Sequence, residues 1–355
     1  MKRLLLVDTT LYAPVSPFFV DAARASGYET LFVDEAPYLR PLETSLVHKI
    51  GYRVLHRRPL ARWRYNRDLR AAARRFRPDF VIVVKGAYIM PSTLRRIKND
   101  TGAVLVNYAT DDPFNKANTT PDLVAGIPEY DVYACTKRAI MDDVRRAGGR
   151  AVVYTMFGYN PAIHFPEPPA AGDETRRSHS DVVLIGGADR DRLRDLEPLV
   201  EAGNLDLALY GGYWTRNARF RPFARGFAVG RQYRVALHGA AIALCLVRRA
   251  NRDGHAMRTF EIPACGAFML AERTEEHLAL FREGHEAAFF GSSEELVSKV
   301  RYYLAHADER RRIAQAGYNR VVKGGNTYRD RLSELVHAAA AADPAAARPR
   351  QRSAR

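Results

Sequence analysis

Short runs of consecutive apolar residues, separated by longer stretches with helical spacing, set the pattern of the first half of the chain. Residues 4–8 (Leu-Leu-Leu-Val-Asp) read as a buried strand, and residues 16–26 as a helix stopped by Gly27. A second strand is predicted over 30–34, then a long basic helical region, then strands over 80–84, 104–108, 132–135 and 152–154. Unbroken β-branched runs that alternate with helical segments predict a parallel sheet covered on both faces. The pattern stops between residues 160 and 180, where Pro161, Pro166, Pro168, Pro169 and Ala170-Ala171-Gly172 read as a linker. A second series follows: strand 182–185, helix 192–202, strands 205–210 and 242–246, a short helix from Thr259, strand 267–271, and amphipathic helices over 294–305 and 308–323. The expectation is an α/β chain of two doubly wound, Rossmann-like domains. The first covers 1–160 and the second 181–337, with a linker over 161–180 and a disordered basic tail over 338–355. Ligands of open α/β sheets bind beyond the carboxyl ends of the strands, so function is expected in a cleft where those ends face each other.

The length of 355 residues agrees with two domains, and 47% hydrophobic with 27% charged residues is ordinary for a globular protein. Cys135, Cys245 and Cys265 are too scattered for a disulfide framework or a metal site and read as buried thiols of a cytoplasmic protein. Met1-Lys2-Arg3 before an apolar run imitates a signal peptide, but Asp8 ends that run early. The longest nearly apolar stretch, 235–247, contains His238 and falls short of the ~20 residues of a membrane span. No segment is therefore expected to cross a membrane. A net charge of +15 favours anionic partners, whether nucleic acid, acidic lipid or phosphorylated substrates.

The densest chemistry lies in residues 251–266, where a polar loop with Asp253, Gly254, His255 and Arg258 leads into a very short helix. Thr259 reads as its N-cap, Pro263 as a first-turn residue and Gly266 as its stop. Glu261 then stands in the first turn with Arg258 just before it. A guanidinium beside backbone N–H groups binds anions, and a carboxylate accepts hydrogen bonds from a vicinal diol, so the pair suits the diphosphate and ribose of a nucleotide. The same residues also fit a plain helix-start acid with a surface arginine.

This segment resembles the donor-site signature of group 1, family 4-like GT-B glycosyltransferases: an acid (Asp253), seven residues, Glu261, then Ala264-Cys265-Gly266 and a strand. Arg258-x-Phe260-Glu261-x-x-Ala264-Cys265-Gly266-Ala267-Phe268 is more specifically similar to the branch of spore-maturation CgeB-like proteins. The similarity continues through Phe281-Arg282-Glu283-Gly284 and Ile313-Ala314-Gln315-Ala316-Gly317, and more loosely into the first half at Pro78-Asp79-Phe80, Val84-Lys85-Gly86 and Asp111-Asp112-Pro113-Phe114. It implies a GT-B fold and sugar transfer from a nucleoside-diphosphate sugar to a hydroxyl acceptor of unknown identity. It also implies retention of configuration and no cofactor or bound metal. Glu261 is then the ribose residue, with Arg258, His255, Thr259 and Phe260 in the donor site. Asp253 replaces the usual Glu near the transferred sugar and is one methylene shorter.

Gly186-Gly187 after a buried strand is a second candidate phosphate cradle, or simply a tight turn, and with the resemblance Arg192 becomes the expected diphosphate ligand. Asp111 and Asp112 follow the strand 104–108 and either supply a base for an inverting transfer or shape the turn before Pro113. Lys85 and Tyr88 are expected on the acceptor side, or in a similar turn. The histidines do not cluster as metal ligands, and His164, His179 and His238 look incidental. Residues 53–77 place eleven arginine and histidine residues among Leu55, Leu60, Trp63, Tyr65 and Leu69. Such a stretch is either a solvated helix face or a peripheral anchor on an anionic membrane, each basic residue adding about 1 kcal/mol near the surface. Two competing readings stand: a basic nucleic-acid-binding protein, disfavoured because no recognisable nucleic-acid-binding motif is present, and a GT-B protein without activity.

Overall fold

The computed structural model describes residues 1–11 and 15–342. Two compact units divide the chain. One comprises Met1–Met156, Ala250–Arg252 and the chain from Tyr328; the other comprises Phe157–Arg249 and Asp253–Thr327.

The first unit holds a six-stranded sheet of β1 (Arg3–Asp8), β2 (Glu29–Asp34), β3 (Phe80–Val84), β4 (Val104–Ala109), β5 (Val132–Cys135) and β6 (Ala151–Tyr154). Every pairing is parallel, and the order is β2-β1-β3-β4-β5-β6. The second unit holds β7 (Ser180–Ile185), β8 (Leu207–Tyr210), β9 (Ala240–Cys245), β10 (Met269–Glu272) and β11 (Ala288–Phe290), also parallel, in the order β11-β10-β9-β7-β8. Central strands such as β3 and β4 are buried at every residue, as unbroken apolar runs under helices on both faces require. In each sheet the strand order reverses beside the first strand: between β1 and β3 in one, between β7 and β9 in the other. Such reversal points open a crevice at the carboxyl ends of the strands, the usual ligand position of this architecture.

Several elements differ from expectation. The long basic helical region resolves into three helices, Ala36–Thr44, Leu46–Val54 and Arg62–Phe76. The expected linker carries the helix Asp173–Ser178 and ends where β7 begins. The apolar stretch 235–247 is the end of the helix Arg231–Gly239 followed directly by β9. The second domain was expected to run to residue 337, but the chain returns to the first unit at Tyr328. There the helix Tyr328–Ala342 buries Tyr328, Leu332, Leu335 and Ala339, a stripe at helical spacing, with the Tyr328 ring 5.1 Å from Phe18 and 5.2 Å from Phe19. The alanines from 338 to 342 extend that helix, as their propensity favours, and the rest of the expected tail lies outside the described residues.

Candidate functional site

Gly186 is the first residue beyond β7, and three hydrogen bonds fix its loop. Its N–H donates to Tyr210 O (2.7 Å), its carbonyl accepts from the buried Trp214 Nε1 (2.8 Å), and the neighbouring Gly187 carbonyl accepts from Arg192 (2.6 Å). A second glycine pair faces it. Gly211 has φ +129°, and a Cβ there would lie 2.6 Å from the Gly186 carbonyl carbon, so glycine is required on both conformational and steric grounds. Glycines thus let the two strand ends approach closely, beside the point where the sheet order reverses.

Two arginines converge on this turn. The helix Arg190–Glu201, N-capped by Asp189, presents Arg192; the helix Arg258–Ala264 presents Arg258. Their Nη1 atoms lie 3.1 and 3.3 Å from where a Gly186 Cβ would sit, so a larger residue there would push both guanidiniums back by a few tenths of an ångström. Arg258 also donates to the carbonyl of Leu246, the residue after β9 (3.2 Å), which spans the crevice between β7 and β9. Arg192 is 2% exposed; burial first, and the neighbouring Arg258 charge second, push its pKa down to about 10. Its Nε lies 3.7 Å from Asp189, too far for a hydrogen bond, and the buried Nε of each arginine lacks a hydrogen-bond partner. Two like charges with unmatched Nε donors, held beside a glycine turn, are an arrangement that a multivalent anion would neutralise.

Glu261 stands one turn further into the Arg258–Ala264 helix and is also buried. Its own N–H is bonded to Met257 O, so the backbone here offers an anion no free donor. Glu261 Oε2 accepts from the Tyr233 hydroxyl (2.9 Å), and Oε1 lies 3.6 Å from His164 Nε2. His164 Nδ1 accepts from the Asn160 N–H (3.1 Å), which places the proton of a neutral ring on Nε2, facing Glu261. Burial lowers the His164 pKa, with Glu261 opposing. His164 is therefore not incidental. Neither it nor Tyr233 carried a sequence signal, because both meet Glu261 only through the fold.

The other residues expected on the donor side meet different partners. The helix starts at Arg258 and not at a Thr259 cap, and Pro263 lies near its far end, before the Gly266 stop at φ +74°. Thr259, fully buried, accepts from the Ala256 N–H (3.0 Å) and donates to His277 Nε2 (2.9 Å), while His277 Nδ1 donates to Glu272 O (2.7 Å). Burial pushes the His277 pKa down to about 4. His255 Nε2 accepts from the Phe157 N–H (3.1 Å) and Nδ1 donates to the buried Glu276 (2.5 Å), between the rings of Phe157 and Phe260. A Cβ on Gly254 would overlap the Glu276 side chain, lying 2.6 Å from its Cγ. Phe260 is core. Asp253 is half-buried, with its N–H bonded to Arg248 O (3.2 Å).

In the first unit Asp112 is 3% exposed. Its Oδ1 accepts from the Phe114 N–H (2.9 Å), a side-chain turn around Pro113, and its Oδ2 pairs with Arg252 Nε (2.7 Å). Both carboxylate oxygens of Asp112 therefore have partners within this turn and its neighbouring loop. Asp111 pairs with Lys85 Nζ (2.8 Å) and accepts from Asn251 (3.2 Å); Lys85 sits just beyond β3 at φ +62°, at the reversal point of this sheet. Tyr88 meets the Tyr52 hydroxyl at 3.3 Å. Glu35, after β2, accepts from Tyr65 (2.7 Å), and burial raises its pKa to about 7. Among the described residues no cluster of His, Cys, Asp and Glu could hold a metal ion, and no helix is long and apolar enough to cross a membrane. The three cysteines are buried and free, with burial raising Cys135 and Cys265 to about 12.

Two Rossmann-like parallel-sheet domains of this order define a GT-B fold, and solved structures of that fold superpose along nearly the whole chain. The sequence profile of the Glycosyl transferase-like family matches residues 192–337, which contain both arginines and Glu261. Among solved structures, Anabaena HepE in complex with UDP-glucose aligns with a TM-score of 0.66 at 12% identity, over 95% of this chain and 100% of that one. Sucrose-phosphate synthase from Thermosynechococcus elongatus gives 0.66 at 12%, over 96% and 100%. A glycosyltransferase involved in avilamycin A biosynthesis gives 0.56 at 16%, over 96% and 97%. No curated protein sequence matches the chain.

Proposed function

We propose that the protein is a glycosyltransferase that moves a sugar from a nucleoside-diphosphate sugar to a hydroxyl acceptor. The observation that carries this reading is the convergence of Arg192 and Arg258 on Gly186 at the strand-order reversal, with buried donors unmatched. A diphosphate supplies the charge and acceptor atoms that such a pair lacks. Glu261, with one oxygen held by Tyr233, takes the ribose hydroxyls, and the profile match over this region supports the assignment. His255, Thr259 and Phe260 act behind this surface, fixing the helix that carries Arg258 and Glu261. Asp253 lies on the loop before that helix and is assigned to the transferred sugar.

The first unit is assigned to the acceptor, with Lys85 and Asp111 as its polar pair. An inverting transfer needs a carboxylate free to take the acceptor proton. Asp112 is committed to Phe114 and Arg252, and Asp111 to Lys85, which favours retention of configuration. No cofactor enters this scheme; the two guanidiniums meet the leaving diphosphate's charge. The basic helices of the same unit favour an acceptor presented at an anionic membrane surface. The test is a melting-shift screen with UDP-, GDP-, dTDP- and ADP-sugars, where a ligand at 100 times its Kd adds about 2.7 kcal/mol of apparent stability. No response to any of them, together with salt-sensitive stabilisation by oligonucleotides, would replace this reading with the nucleic-acid one.

A further inference from the structure

The helix Leu46–Val54 is built the wrong way round for a domain helix. At roughly 100° per residue, Leu46, Ile50, Val54 and Val47 fall within an arc of about 100°. All four are exposed, at 71, 55, 70 and 68%, and no residue of the helix is buried. The inward positions go instead to His48, Gly51 and Tyr52: Tyr52 reaches Tyr88, and Leu60 packs against Gly51, 3.0 Å from where a Cβ would be. That packing ties the following loop, and Trp63 just beyond it at 69% exposure, to the same part of the unit. Lys49 and Arg53 flank the apolar arc, and between Glu43 and Asp68 the chain has seven basic residues and no carboxylate. Trp63 also borders a groove of about 280 Å³ lined by Arg67, Arg70, Arg74 and Arg96.

We propose that this helix face, with Trp63, docks on an anionic lipid bilayer. An apolar arc with a basic flank and an exposed tryptophan matches the interface between acyl chains and headgroups. A second copy of the same face fits less well, since an antiparallel two-fold contact would bring the Lys49 and Arg53 edges of both copies together. The anchor is therefore the apolar face of 46–54 rather than a continuous basic helix over 53–77. Arg57 is occupied with the carbonyls of Ala117 and Thr119, and Arg58 and Arg62 with Asp122, so these three hold the fold together. The proposal does not depend on the donor-site reading.

The experiment is co-sedimentation of the full chain with phosphatidylcholine vesicles, with and without phosphatidylglycerol, at rising salt. The variants are I50Q/V54Q, with the basic residues intact, and K49Q/R53Q, with the apolar ones intact. Because all four positions are exposed, melting temperature and nucleotide-sugar response should match the parent, which separates lost docking from lost folding or a failed donor site. Each double variant should weaken partitioning to the anionic vesicles about tenfold or more, the loss in the first being independent of salt. Undiminished binding by I50Q/V54Q would overturn the proposal, as would equal binding of the parent to neutral vesicles. So would a parent dimer that I50Q/V54Q converts to a monomer, since a second copy would then cover the face.

Discussion

Replacing Arg192 by methionine should make the empty protein more stable and the donor weaker. Holding the charge in the fold costs stability, because the folded pKa of about 10 lies below the ordinary 12.5 of the side chain. For a cation, a lowered folded pKa means that at neutral pH the charged form is disfavoured in the fold, by about 3 kcal/mol for a shift of this size. Methionine removes that penalty and the repulsion from Arg258 while roughly keeping the length of the side chain. It forfeits the hydrogen bond to Gly187 O, worth about 1 kcal/mol. The net expectation is a gain of up to about 2 kcal/mol without ligand, at roughly 2–4 °C per kcal/mol for a domain of this size. Donor binding should fall by about 2–3 kcal/mol as charge-assisted bonds to the diphosphate are lost, some 30- to 150-fold in Kd. Thermal melts of the free protein with titration calorimetry of the responding nucleotide sugar read both numbers. A variant that melts several degrees lower when empty and binds donor like the parent would show that Arg192 is a structural residue, and the anion site would lose half its basis.

Glu261→Gln should cost a similar 2–3 kcal/mol of donor affinity, equally for nucleoside and sugar nucleotide, because both carry the ribose. The amide can still accept from Tyr233, so melting of the free protein should change little; calorimetry with both ligands checks this. The two units should respond oppositely to mild acid, read by urea unfolding with a probe in each. His277 is buried neutral with its pKa lowered to about 4, so its contribution to the second unit is complete above about pH 6.5 and lost as pH falls toward 4, up to about 3 kcal/mol. Glu35, raised to about 7, contributes to the first unit below about pH 4.5 and loses that contribution as pH rises to 7; Glu35→Gln should abolish this dependence.

What was legible in the sequence was whatever the chain settles locally. Strands β3 and β5 match their predicted ends because unbroken apolar runs between turn residues admit one interpretation. Three-residue β11 was missed, being too short to show a period. The helix Arg231–Gly239 was missed because its apolar end runs straight into β9, whose strand was expected over 242–246 and begins at Ala240. Gly239 is there for close packing, a Cβ being 2.6 Å from Ser178 O. Around the candidate site, Gly186, Arg258 and Glu261 could be picked out from spacing and resemblance. The partners could not: Tyr233 and His164 reach Glu261, and Arg252 reaches Asp112, across separations that only the folded chain closes. The inverted helix 46–54 was hidden for another reason. Its pattern is that of any amphipathic helix, and sequence periodicity does not say which side faces the core.

The crowding of Gly254 against Glu276 has a consequence for how this sequence can vary. Gly254 has no positive φ, so nothing in its backbone conformation demands glycine; the demand comes from the Glu276 side chain, which fills the space a Cβ would need. Glu276 in turn is placed by His255, the next residue along the loop. A drift to alanine at 254 is therefore closed while glutamate stands at 276. It becomes open if that position shortens to aspartate or the histidine no longer needs a carboxylate. Three positions that look independent along the chain are in effect one choice, and a library that randomises them singly would report each as intolerant, where a library that varies them together would find the permitted combinations.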